Sequence, residues 1–392
     1  MLKGVRVLDL TRLLPGPLCT QHLADLGAEV IKVEDTKQGD YGRLGLGTGS
    51  EDDPGYFDLV NRGKRSVSVD LKHPEGREFF LRLVRGADAV VESFRPGVME
   101  RLGLGHNALR AVNPALVYCS LTGYGASGPL AQQAGHDLNY CGYTGLIDQT
   151  GHSGEPPVIP AFQIADLAGG TLTATTALLA GLFKARVSGE GTLLDVAMTD
   201  SVMAHSVLNL AMYRHRHAVP PRGGGVLNGG APCYGLYQTG DGRWMAVAAL
   251  EKKFWERLCL ALERPDLIGK HNVSGEEAEA VRAELQALFQ TRSAEAWLSL
   301  LTPADCCVSP VLTIEEALQH PQFREREVVV AGADSGANGV AFTFPARVDG
   351  NSCVAERSSP ELGEATDHYL QACHYSAEEI RRMKEAGIVK SS

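Results

Sequence analysis

The sequence predicts an α/β protein, a large domain around a parallel sheet joined to a smaller α+β domain. Three observations carry that prediction. Strand-like and helix-like runs alternate through the first half of the chain, as parallel βαβ units do. Residues 167–183 contain no charged side chain and are rich in Ala, Leu and Thr, long enough for a buried helix inside the large domain. The texture then breaks at 214–234, where five glycines, three prolines and two histidines, His215 and His217, replace the periodic pattern. That stretch reads as a solvated linker rather than a metal pair.

The first unit is residues 5–10 as strand, 18–26 as helix closed by Gly27, and 29–33 as a second strand. Strand, helix and parallel strand imply a right-handed crossover, and Rossmann-like winding is the natural extension. The turn Leu14-Pro15-Gly16-Pro17 lacks the glycine spacing that brings backbone against a pyrophosphate, which argues against a nicotinamide or flavin cofactor. Gly45-Leu46-Gly47-Thr48-Gly49 has no strand before it and reads as a loop. Further strands are expected at 67–71, 87–92, 116–121 and Thr192–Ala197, with helices at 74–84 and 200–212.

Beyond the linker, residues 235–248 form a hairpin about Asp241-Gly242, followed by helices beginning at 250 and covering 275–290, 293–301 and 314–318. An amphipathic helix is expected at 376–386.

With 392 residues, 44% of them hydrophobic, the chain can bury a large core. The net charge of −10 disfavours nucleic acid as a partner. Nine cysteines with no Cys-x-x-Cys pair read as reduced thiols of a cytoplasmic protein, with no metal site. The N-terminal apolar run is too short for a signal peptide, the C-terminal residues are no peroxisomal address, and 167–183 is a marginal candidate for a membrane span, so no membrane is expected as partner.

Basic residues cluster at Arg62, Lys64, Arg65, Lys72, Arg95 and Arg101. Arg95 follows a strand directly, where open α/β sheets bind ligands, so it is placed either for an anion or on a solvated basic face. His136 and Asp166 are the other candidates. Asp166 opens the charge-free run, where a helix dipole favours the carboxylate, and serves equally as an N-cap. His136 in a glycine-rich turn reads on its own as structural. Asp137 is expected to point away from it in an extended segment.

Several of these stretches together resemble a known family. Leu14-Pro15-Gly16-Pro17, Gly27-Ala28-Glu29-Val30-Ile31-Lys32-Val33-Glu34, Asp70-Leu71-Lys72, Phe94-Arg95-Pro96-Gly97 and Thr122-Gly123-Tyr124-Gly125 are similar to the class III CoA-transferase (CaiB/BaiF) family. Gly135-His136-Asp137-Leu138-Asn139-Tyr140 and Asn228-Gly229-Gly230-Ala231-Pro232 resemble its alpha-methylacyl-CoA racemase branch. The resemblance implies an interlocked homodimer, a Rossmann-like large domain at 1–213, a linker at 214–234, a small domain at 235–325 and a return to the large domain at 326–392. Each active site would lie between the large domain of one subunit and the small domain of the other. It also implies acyl-CoA as substrate with no further cofactor. By matching positions, His136 paired with Glu251, and Asp166, are the two bases. Arg95, Arg101, Lys72 and Tyr140 are the CoA contacts. Asp35 departs from an arginine common in racemases, a loss that Lys37 or Arg43 could make good.

The chemistry explains the residue types. Epimerising a carbon beside a thioester carbonyl takes a proton from one face and returns one to the other, so two acid/base groups are needed. The enolate between them needs fixed donors, for which the first N–H groups of the helix after Asp166 are the expected source. The transferases of the family use the aspartate matching Asp166 as a nucleophile instead, which is the alternative reading.

Overall fold

The structure, a computed structural model, describes residues 1–45, 56–331, 339–355 and 358–392. Of the glycine-rich loop expected at 45–49, all but Gly45 lies outside the described residues. The rest gathers into two compact units. One comprises Met1–Thr144, Phe162–His205 and Pro321–Ser392, and the other Gly145–Ala161 and Ser206–His320.

The first unit is built on β1 (Arg6–Leu10), β2 (Glu29–Glu34), β3 (Arg65–Val69), β4 (Ala89–Glu92), β5 (Val117–Thr122) and β6 (Thr192–Ala197). In space the order is Val389–Lys390, β3, β2, β1, β4, β5, β6. All six numbered strands are parallel, and Val389–Lys390 runs antiparallel against β3. Helices cover both faces of this sheet, leaving Val7, Leu8, Ile31, Val67, Val90 and Val117 fully buried. Winding reverses between β1 and β4, which makes a crevice beyond their carboxyl ends the place for a ligand.

Three helical expectations change. Residues 200–212 form two helices, Met198–His205 and Val207–Arg216, broken at Ser206. Residues 167–183 begin inside a wide helix, Ala165–Leu172, with the hydrogen-bond spacing of a π-helix, and continue as Thr173–Ser188. Nor are they buried as expected: Leu172 is 50% exposed and Phe183 72%. Gly169 and Gly170 suit the wide helix, because a Cβ would stand 2.9 Å from the Met198 carbonyl at the first and 2.9 Å from Pro15 at the second. No helix among the described residues is long and apolar enough to cross a membrane.

The second unit holds the expected hairpin, β7 (Tyr234–Gln238) against β8 (Trp244–Ala248), extended by β9 (Val308–Pro310). Its core is Trp255, Trp297, Phe289 and Met245. The stretch read as a bare linker is tied into this unit: Arg222 Nε donates to the Asp148 carbonyl at 2.6 Å, which brings Gly145–Ala161 with it. The nine cysteines are free thiols, six of them buried.

Candidate active site

An open cavity of about 1860 Å³ lies beyond the carboxyl ends of β1 and β4, at the reversal of winding. His136, Asp166, Arg95, Arg101 and Tyr140 all line it. Lys72 does not; it stands exposed on the turn after β3. Glu251 belongs to the second unit, exposed at the start of the helix Lys252–Ala261.

Asp166 sits in the first turn of the wide helix, a type of distortion that recurs at functional sites. Its own N–H, at 3.0 Å, and that of Ala165, at 2.7 Å, both donate to Asp137 Oδ1. Burial, and then the Asp137 charge, push the Asp166 carboxyl up to about 7. The dipole argument for an ionised Asp166 is therefore overturned: the helix-end amides are occupied by another carboxylate, which repels rather than stabilises the charge. The oxyanion expectation changes too, because the N–H of Leu167 is bonded to the Gln163 carbonyl at 2.9 Å.

His136 immediately precedes the helix Asp137–Tyr143, so Asp137 opens a helix instead of continuing an extended segment. The His136 backbone is fixed on both sides, its N–H donating to Asn139 Oδ1 at 3.1 Å and its carbonyl accepting from the Asn139 N–H at 2.8 Å. Among the described residues no acceptor meets the N–H of Asp137 or Leu138. Tyr140 is buried, its hydroxyl donating to the Gly135 carbonyl and its ring set edge-on to Tyr124. Gly123 is required there, since a Cβ would stand 2.2 Å from the Tyr140 ring. Burial, then Asp166, raises the Tyr140 phenol to about 12, so it stays protonated.

The basic cluster does not act as one group. Lys64, fully buried, donates to Asp9 Oδ2 at 2.9 Å, to the Pro17 carbonyl at 2.8 Å and to Asn61 Oδ1 at 2.8 Å. Arg62 is buried against Asp25 at 3.1 Å. Lys32 joins the same interior network, 2.7 Å from Asp40 and 3.9 Å from Asp9. Burial alone would raise the Asp9 carboxyl, but the Lys64 and Lys32 ammoniums, with hydroxyl donors from Thr11 and Thr20, hold it at about 2.

Arg43 is committed as well, bonded to Glu34 at 2.7 and 2.8 Å. The cation that meets Asp35 is Arg12, at 3.1 Å, and Arg12 lines the cavity. Sequence reading missed it. The signal was available, since Arg12 follows β1 as Arg95 follows β4, at the two strands that flank the switch point.

The chain is 35% identical to alpha-methylacyl-CoA racemase of Mus musculus and 33% identical to that of Homo sapiens, each over 100% of this chain and 98% of the relative. It is also 32% identical to succinyl-CoA:glutarate CoA-transferase of Homo sapiens, over 99% of this chain and 90% of that one. The crystal structure of a CAIB/BAIF family protein from Brucella suis superposes with a TM-score of 0.80 at 29% identity, covering 95% of this chain and 98% of the other. With residues 2–366 matching the family's profile, the chain belongs to CoA-transferase family III.

Proposed function

We propose that the protein epimerises 2-methylacyl-CoA thioesters by 1,1-proton transfer, with His136 and Asp166 as its two acid/base groups. The observation that carries this reading is a carboxyl group raised to about 7 on the same cavity as a histidine. A group that must accept a proton in one direction and donate it in the other works best when both its forms are populated at the working pH. One of the pair takes the α-proton, the thioester carbonyl becomes an enolate, and the other returns a proton to the opposite face. The unengaged N–H groups of Asp137 and Leu138, next to His136 in the chain, are the proposed donors to the enolate oxygen.

Arg95, Arg101 and Tyr140 line the cavity and are the proposed CoA contacts. Lys72 would meet the thioester only outside it. Glu251 would orient the His136 ring, supplied across a homodimer from the second unit of the other subunit.

Relatives named as CoA-transferases at comparable identity favour a second reading, in which Asp166 attacks the thioester carbonyl and expels CoA thiolate to give an acyl anhydride. The thiolate then attacks the Asp166 carbonyl, releasing the donor acid and leaving Asp166 as a CoA thioester for the acceptor acid. A carboxyl raised towards neutrality can both give and take a proton at the working pH, which is the property the first reading needs.

Heavy water separates them. The racemase reading expects deuterium at the α-carbon of a 2-methylacyl-CoA with no acid acceptor present, and a loss of about 10²-fold or more in His136→Ala and Asp166→Asn. Absence of exchange without an acceptor, together with an Asp166 adduct trapped by hydroxylamine, would establish the transferase instead.

A further inference from the structure

We infer that Arg12 holds a phosphate of the nucleotide portion of the thioester, with Asp35 serving as its positioning partner; the inference rests on the CoA-ester reading above. Three arginines, Arg12, Arg95 and Arg101, line one cavity in a chain whose net charge is −10, so the local field there favours an anion against the molecule's general sign.

The backbone around Arg12 is set in place at three points. Its N–H donates to Ser93 Oγ at 3.2 Å, which joins the loops after β1 and β4. The preceding carbonyl, of Thr11, accepts from Lys32 Nζ at 3.1 Å, and the following N–H, of Leu13, donates to Asp40 Oδ1 at 2.9 Å. Leu13 itself is held at φ +66°, a conformation a leucine adopts only under such constraint. The guanidinium lies 4.9 Å from the centre of the Tyr41 ring and 5.6 Å from that of Phe94.

Asp35 cannot take an anion, and its geometry shows another use. Oδ1 accepts the N–H groups of Lys37, Gln38 and Gly39 at 2.9, 3.0 and 3.2 Å, while Oδ2 meets a single Arg12 nitrogen at 3.1 Å. A guanidinium carries five donors in a planar fork. One is engaged by Asp35, and the side chain is 26% exposed, so its remaining edge is available to a ligand at the sheet's switch point.

Calorimetric titration of the full chain tests this, with CoA and with phosphate-free pantetheine as probes. Arg12→Ala should weaken CoA by about 10- to 100-fold and leave pantetheine unchanged, with Arg12→Lys between, keeping charge but not the fork. Asp35→Asn keeps an oxygen for the turn but turns an amide donor towards the guanidinium, so it should weaken CoA less than Arg12→Ala does and leave pantetheine unchanged. The inference is overturned if Arg12→Ala binds CoA like the wild type, or if CoA and pantetheine weaken together. It is equally overturned if Asp35→Asn loses as much as Arg12→Ala, since the pair would then be a tether alone. Wild-type protein that fails to bind CoA would remove the CoA-ester reading itself.

Discussion

Asp137 and Asp166 show how one carboxylate can set the protonation of another. The Asp137 carboxylate accepts two amides at the start of the wide helix and is the charge that, after burial, raises Asp166. Asp137→Asn keeps an oxygen for those amides and removes the repulsion. The Asp166 carboxyl should then ionise at lower pH, though burial still holds it above an ordinary aspartate. The limb of the pH–rate profile that needs protonated Asp166 should move towards acid, each unit of displacement cutting the protonated fraction at neutral pH by up to about tenfold. A rate profile of the variant superimposable on the wild type would show that Asp137 only ties backbone.

Among the elements, the carboxyl halves of β1 and β2 and the entry to β3 are locked together by the interior network of Asp9, Lys32, Lys64 and Asp40, and that lock fixes the loop bearing Arg12. Lys64→Met leaves Asp9 buried beside one cation and removes the donor from Pro17 and Asn61. Denaturant unfolding should show a loss of about 3–5 kcal/mol. The acid side has a definite sign. Asp9 is depressed from 3.8 to about 2 in the folded state, so its contribution is complete above 3.8 and is lost as pH falls through 2. Without Lys64 that loss should begin at higher pH. The strands of this sheet were legible, because short β-branched and apolar stretches bounded by turns mark each one; all six predicted spans overlap the observed strands, and Thr192–Ala197 coincides with its strand. What escaped was written in no period. The wide helix depends on how Gly169 and Gly170 meet Met198 and Pro15, and Val389–Lys390 is a strand only because β3 offers it an edge. Likewise His136 and Asp166 were identified by residue type and resemblance, whereas the Asp137 and Arg12 contacts arise from chain segments that only folding brings together.

For the molecule as a whole, the exposed apolar surface calls for a cover. Phe183 and Val187 are each 72% exposed on Thr173–Ser188, and Leu193 is 51% exposed on β6, the edge strand of the large sheet. A second copy of the chain is the occupant that the homodimer reading requires there. The wild type should sediment at twice the mass of one chain, and Phe183→Glu combined with Val187→Glu should lower that mass. A shared site makes a sharper demand. If Glu251 of one subunit orients His136 of the other, a mixed dimer of His136→Ala and Glu251→Gln subunits contains one site with both groups intact and one with neither. Co-expression of two inactive variants should therefore restore about one quarter of wild-type activity, half the dimers being mixed and half their sites whole. Pairing within a single subunit would leave every site of that mixture damaged and restore nothing, as would a protein that sediments as a monomer.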